Sequence, residues 1–349
     1  MQALFIRRCL NVTALAAVCA VSAVPAMAAV QPSTSPYSGV FFFGDSLSDS
    51  GNNSLALTGG MSGVPQSVTG DGYVPSFPYA PSGTYSNGPV WATSFAAQLG
   101  VSTSAMPSLS GVGTNFAFGG AQTSIDGPIA GFPFSLTTQV GMATGAFGGH
   151  LPSDALYVVA GGGNNARAAL EALGANPSFA QVVAGISQVS AAFAIDVGNI
   201  VDSLQAAGAQ NIVVWNAPNL GTAPAVRAQG AGAVGLATLM TSSMNSALDY
   251  RLSSEAGVTT FDLFGLVGQI AANPAAYGLT NVTNACGAAV NNCDPATALF
   301  WDGIHPTAAG HLIIADAMVA VTAVPEPGAV WLMMAGLVGM GAVLRRRAA

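Results

Sequence analysis

The chain has 349 residues, of which 51% are hydrophobic, and its 8 basic and 15 acidic residues give a net charge of −7. Five basic residues lie at the ends, as Arg7, Arg8 and Arg345 to Arg347. Without these and Glu326 the interior keeps three basic and fourteen acidic residues, a charge of −11 with no lysine. Such a surface excludes nucleic acid and anionic headgroups as charge-driven partners, and low charge with a high apolar share argues against a disordered chain.

Met1 to Ala28 reads as a secretory signal peptide: Arg7 and Arg8, a mostly apolar stretch from Leu10 to Val24, then the small-x-small site Ala26-Met27-Ala28. The apolar core is short for a membrane span. The next element is a buried-type strand at Val40–Phe43, followed by Gly44-Asp45-Ser46-Leu47-Ser48-Asp49. A strand ending in a glycine-bounded turn presents a serine hydroxyl at the carboxyl edge of a sheet, where open α/β folds place their sites. Ser46 is therefore the candidate nucleophile, and at the start of a helix or turn it would also sit among unpaired backbone N–H groups. Residues 52–89 are rich in Gly, Pro, Ser and Tyr and read as a long irregular stretch of the kind that often carries function.

Further strands are predicted at Leu156–Ala160, Asn211–Trp215 and Val258–Phe261, with helical stretches at about 90–99, 178–207, 232–254 and Thr307 to Ala320. Strands separated by helices imply one α/β domain whose parallel sheet is covered on both faces. Residues 29–323 are long enough to bury a substantial core as that single domain. Cys9 and Cys19 fall in the leader. Cys286 and Cys293, with six residues between them, read in an oxidising compartment as a small disulfide-closed loop. Two cysteines without a nearby histidine do not make a metal site.

Acyl transfer by serine needs a base, a group to orient that base, and donors for the oxyanion. The chain has three histidines, His150, His305 and His311. His305 lies in Trp301-Asp302-Gly303-Ile304-His305-Pro306, with Asp302 one turn away, close enough to hold its Nδ1. His311 sits among Leu312, Ile313 and Ile314 and reads as a structural or surface residue. Candidate oxyanion donors are the Ser46 N–H, the Gly119–Gly120 pair, and the side-chain amide of Asn164 after its run of three glycines. The Gly-x-Ser-x-Gly elbow of α/β-hydrolases is absent, because position 48 is serine.

Together these residues resemble the GDSL esterase/lipase family, also called SGNH hydrolases. Phe43 to Asn52 is similar to its nucleophile block, Tyr85 to Trp91 and Asn115 to Ala121 to the stretch bearing its oxyanion glycine, Gly162-Gly163-Asn164-Asn165 to its Gly-x-Asn-Asp block, and Phe300 to Pro306 to its histidine block. Pro218 to Gly221 and Thr280 to Thr283 resemble phrases of its lecithinase/haemolysin-like bacterial branch. The resemblance implies a three-layer αβα, flavodoxin-like fold. It also implies Ser46 as nucleophile, His305 as base, Asp302 as orienter, Gly119 or Gly120 with Asn164 as oxyanion donors, and no metal or cofactor. Asn165 stands where the family usually has Asp, a departure that bears on loop geometry.

At the C-terminus, Val324-Pro325-Glu326-Pro327, an apolar run from Gly328 to Leu344 and three arginines resemble the PEP-CTERM sorting signal. The resemblance implies export, transient inner-membrane anchoring through residues 328–344, and removal of the tail by an exosortase-like membrane protease. The sequence thus points to an exported carboxylic-ester hydrolase acting on a lipid, phospholipid or short-chain acyl ester. Polysaccharide O-deacetylation, acyl transfer and a non-catalytic surface or matrix role are the alternatives. Tyr73, Phe77, Tyr79, Tyr85 and Trp91 are candidates to line an acyl groove beside Ser46, or simply to pack a long loop.

Overall fold

The computed structural model describes residues 35–322, so both the leader and the sorting tail lie outside the described residues. Four strands, β1 (Val40–Gly44), β2 (Leu156–Ala160), β3 (Asn211–Trp215) and β4 (Val258–Phe261), pair in parallel in that order. Beyond β1 the segment 114–118 runs alongside without forming a regular strand: Phe42 N–H donates to Thr114 O, and the Phe116 and Phe118 amides donate to Phe42 O and Gly44 O. This segment is second in sequence and lies outside the first strand, as in a doubly wound sheet.

Strand alternation assigns the two faces. Phe41, Phe43, Tyr157, Val159, Ile212 and Val214 point to one side. They pack there on helices α3 (Leu136–Ala146), α5 (Phe179–Ala206) and α7 (Ala231–Leu252). Val40, Phe42, Leu156, Val158, Val213 and Trp215 point to the other, against α2 (Trp91–Gln98), α8 (Leu263–Ala272) and α9 (Ala308–Thr322). The result is the expected αβα sandwich. The remaining helices are α1 (Asn52–Thr58), α4 (Gly163–Leu173) and the short α6 (Pro224–Arg227). A second, two-stranded parallel sheet joins β5 (Asn281–Ala285) and β6 (Ala298–Phe300) beside the histidine loop.

Helix α5 is the one described helix long and apolar enough to cross a bilayer. Its stripe Val189, Phe193, Val197, Ile200 and Leu204, spaced at three and four, is buried against the sheet. Its start is fixed by a capping box, Ser178 with Gln181. Cys286 and Cys293 are joined, closing the loop after β5. Asp71 reaches that region from the long loop and accepts from the Ala285 amide at 2.8 Å and from Asn284 and Asn291.

Candidate active site

Ser46 leaves the carboxyl end of β1 in a tight turn, closed by the Ser48 and Asp49 amides on Asp45 O, both at 3.0 Å. Of the helix or turn expected there, it is a turn that forms: α1 starts six residues later, so Ser46 caps no helix. The strand end is fixed from across the fold. Gln139 accepts from Gly44 N–H and donates to Gly44 O, both at 2.8 Å, and its side chain is fully buried.

His305 lies on the loop between β6 and α9, held where Trp301 N–H meets its carbonyl at 2.8 Å. Its Nδ1 is 2.8 Å from Asp302 Oδ2 and its Nε2 is 2.8 Å from Ser46 Oγ, although Ser46 and His305 are 259 residues apart in sequence. A carboxylate only accepts, so Nδ1 carries the proton and Nε2 is free to accept from the serine. Asp302 is fully buried and fully used. Oδ1 accepts the Ile304 and His305 amides, and Oδ2 also accepts Tyr79 Oη–H at 3.0 Å. Burial and the adjacent carboxylate raise the Tyr79 phenol well above its usual range, keeping it a donor.

Asp49 joins the nucleophile turn to the glycine pair. Its carboxylate accepts the Gly51, Asn52 and Asn53 amides, which starts α1, and the Gly119 amide at 3.0 Å. The sequence leaves Gly119 and Gly120 as equal candidates. Gly119 N–H is committed to Asp49, whereas among the described residues Gly120 N–H and Ser46 N–H meet no acceptor. Gly120 is exposed, lines a cavity that Ser46 also lines, and has φ +86°, a conformation that favours glycine. At Gly119 a Cβ would come within 2.1 Å of the Tyr85 ring. Neighbouring asparagines complete the scaffold: Asn52 Nδ2 donates to Asn115 O and Ala117 O, and Asn53 Nδ2 to Tyr85 Oη and Gly119 O.

Burial pushes the Asp49 carboxyl up to about 6 against those four N–H groups. Asp49→Ala would leave four buried donors without their acceptor, at ~1–3 kcal/mol each before water fills in. The expected result is a clear fall in melting temperature together with a roughly ten- to hundredfold loss of kcat, as Gly120 loses its position. Unchanged kcat in a folded variant would show that Gly120 is held by other contacts.

Asn164 stands in the first turn of α4, donates one amide hydrogen to Ala121 O at 2.9 Å and lines the same cavities as Ser46, so its second hydrogen is available to a ligand. Asn165 donates to Thr123 Oγ1 and accepts the Thr123 amide, a reciprocal pair that a carboxylate could not make. The substitution of Asn for the usual Asp is thus absorbed in the loop after Gly120.

Two cavities meet at Ser46, Asn164 and His305. The larger, about 880 Å³, is walled mainly by apolar residues such as Leu47, Val74, Leu170, Leu220 and Leu236. The smaller, about 400 Å³, is lined by Asn53, Tyr85, Gly119, Gly120, Phe132 and Pro133. Of the five aromatic candidates for a groove, Tyr85 alone lines either cavity. Trp91 is core and donates to Ser48 Oγ, Tyr79 serves Asp302, Tyr73 bonds Gln66, and Phe77 is 43% exposed. The large cavity is built instead from α4, α6, α7 and the loop before α6, and no Phe, Tyr or Trp lines it. Among the described residues no His, Cys, Asp and Glu cluster could hold a metal ion.

His311 is buried within α9, its Nδ1 unpartnered, and desolvation, helped by nearby His305, pushes its pKa down from 6.5 to about 3. It is a structural histidine. The unfolded imidazole takes its proton near 6.5 and the folded one only near 3, so this site weakens the fold as pH drops through that window. His311→Leu removes the penalty. Its stability relative to the parent, from urea unfolding, should be more favourable at pH 5 than at pH 8 by roughly 2 kcal/mol. An equal difference at both values would mean that the fold accommodates the charged ring.

Comparison with known proteins places the chain in a family. Residues 40–318 match the family described as GDSL-like Lipase/Acylhydrolase, and residues 323–347 match the PEP-CTERM protein-sorting motif. The chain is 30% identical over 339 residues to a protein named Esterase EstA from Pseudomonas aeruginosa, the alignment covering 85% of this chain and 48% of that protein. Esterase EstA of Pseudomonas putida matches to the same extent. An uncharacterized protein of the trpE-trpG intergenic region of Pseudomonas putida is 29% identical over 322 residues, covering 83% of this chain and 49% of its own length. The chain spans about half the length of the curated relatives it matches.

Proposed function

The chain belongs to the GDSL-like lipase/acylhydrolase family, and on that premise we propose that it is an exported serine hydrolase that cleaves carboxylic esters through an acyl-enzyme on Ser46. The observation that carries the reading is the 2.8 Å approach of His305 Nε2 to Ser46 Oγ, with Asp302 at 2.8 Å behind the ring. In this reading His305 takes the Ser46 proton as Oγ attacks the ester carbonyl. The oxyanion is received by the Ser46 and Gly120 amides and by Asn164 Nδ2. His305 then gives the proton to the leaving alcohol, the acyl group stays on Ser46, and water activated by the same ring releases the acid. A cavity of about 880 Å³ with apolar walls suits an acyl chain longer than acetyl, which favours lipid-type esters over deacetylation.

The hydrolase domain is residues 29–323, preceded by a cleaved leader at 1–28. The tail, with its PEP-CTERM motif, would anchor the chain transiently in the inner membrane until an exosortase-like protease removes it. The test is labelling of the full chain by a fluorophosphonate, with the adduct mapped to the Ser46 peptide, alongside hydrolysis of nitrophenyl esters from acetyl to palmitoyl. Labelling with turnover favouring medium or long chains is expected. Cleavage confined to acetyl esters would turn the reading to deacetylation, and no labelling or turnover in folded protein would overturn it.

A further inference from the structure

We propose that Arg167 is a specificity-determining residue that receives an anionic group of the substrate, a phosphate or a carboxylate carried close to the scissile ester; this rests on the ester-hydrolase reading above. Arg167 follows Asn164 by three residues on α4 and so shares its face of the helix. It is the basic side chain that lines both cavities at the serine. Among the described residues it makes no hydrogen bond, and its one ionic neighbour is Glu171, at 3.7 Å, on a carboxylate that is itself 72% exposed. Such a pair is weak and leaves the guanidinium free to exchange partners.

Its setting makes the residue exceptional. The region between leader and tail has three basic side chains: Arg251 is consumed by Asp202 and Glu255, and the exposed Arg227 lines neither cavity. In a region of charge −11, and beside the Asp45 and Glu171 carboxylates of the larger cavity, Arg167 is the group at this mouth that can hold an acidic ester. Burial pushes the Asp45 carboxyl beside Ser46 up to about 6, against the Leu47 amide, His305 and Arg167, which act to lower it. A guanidinium offers a fork of donors matched to phosphate and carboxylate, and a half-exposed position lets it bind without having been desolvated first.

The two cavities leave two places for the anion, on the acyl chain or on the alcohol, and the substrates distinguish them. One pair is a monoacylglycerol phosphate against the monoacylglycerol of the same chain. The other is a nitrophenyl hemiester of a dicarboxylic acid against the neutral nitrophenyl ester of equal length. With the purified full chain, the kcat/KM ratio of anionic to neutral ester should exceed one in one pair. In Arg167→Gln that ratio should fall roughly ten- to hundredfold, the range for a hydrogen bond to a charged group, mostly through KM. Arg167→Lys should restore part of it. Salt at about 0.5 M should compress the ratio in the parent but not in Arg167→Gln. The proposal is overturned if the parent prefers the neutral ester in both pairs, or if Arg167→Gln slows both members of each pair in proportion. If the parent cleaves neither neutral nor anionic ester, it is the hydrolase reading that has failed.

Discussion

Ser46→Ala and His305→Ala should each lower kcat on a nitrophenyl ester by roughly 10⁴- to 10⁶-fold, and the double variant should be no slower than either alone. Non-additivity is the informative part. In the proposed mechanism every step that His305 serves, from deprotonating Ser46 to hydrolysing its acyl ester, runs through the Ser46 oxygen 2.8 Å away, so once the hydroxyl is gone the imidazole has no bond-forming step to serve. What survives should be the contribution of the amides at Ser46 and Gly120 and of Asn164, which still polarise a carbonyl for attack by water. Removing Asn164 alone should therefore cost about 10²–10³-fold, well short of the serine or the histidine. If His305→Ala left turnover within about tenfold of the parent, the short Ser46 contact would be structural and another base would have to be sought. His150 and His311 offer little. The first lies in the loop that enters β2, at the amino edge of the sheet opposite the edge bearing Ser46, and the second is buried with its pKa pushed to about 3.

The four strands were legible because each is a short run rich in apolar or β-branched residues next to a Gly or Asn, and the observed bounds agree almost residue for residue, with β1 gaining only Gly44. Helices α2, α5, α7 and α9 follow from apolar periodicity. Helix α4 was not legible, since three glycines and two asparagines stand at or before its start, residues that signal a turn. Nor was α1, hidden in a stretch that reads as irregular. Its first amides are satisfied by Asp49, which lies outside the usual N-cap position, and no local pattern marks that. The same residue separates Gly119 from Gly120. The hydrogen bond that occupies Gly119 N–H and leaves Gly120 N–H free spans 70 residues, and a second Asp-Ser pair four residues after Asp45-Ser46 is its one weak sign in the sequence. Gln139 and Tyr79 act over 95 and 223 residues and carry no signal at all. Ser46, Asp302 and His305 were legible for the opposite reason: proton transfer from a serine demands those side-chain types, and the chain offers few histidines to choose from.

Asp302→Asn should fold normally and still lose about 10⁴-fold in kcat, the size of effect known for inverting a histidine tautomer in serine hydrolases. The hydrogen bonds fix how the introduced amide must sit. Oδ1 accepts two backbone amides, from Ile304 and His305, so the amide oxygen takes that place and the NH₂ group takes the place of Oδ2. There it faces His305 Nδ1 and Tyr79 Oη, both of which donate to the native carboxylate. Tyr79 adapts by rotating its hydroxyl and accepting. The imidazole adapts by moving its proton to Nε2, and it then donates to Ser46 Oγ where it has to accept. The contacts survive while the direction of proton transfer is reversed, so melting temperature should change little and KM little. Tyr79→Phe isolates the fourth hydrogen bond, removing one donor from a fully buried carboxylate without touching the tautomer. Its cost to kcat should be small beside that of Asp302→Asn, with part of it appearing as stability, at ~1–3 kcal/mol for a buried acceptor left short of a partner. Equal kinetic losses in the two variants would mean that Asp302 works by holding the loop in place, and that the tautomer of His305 is set elsewhere.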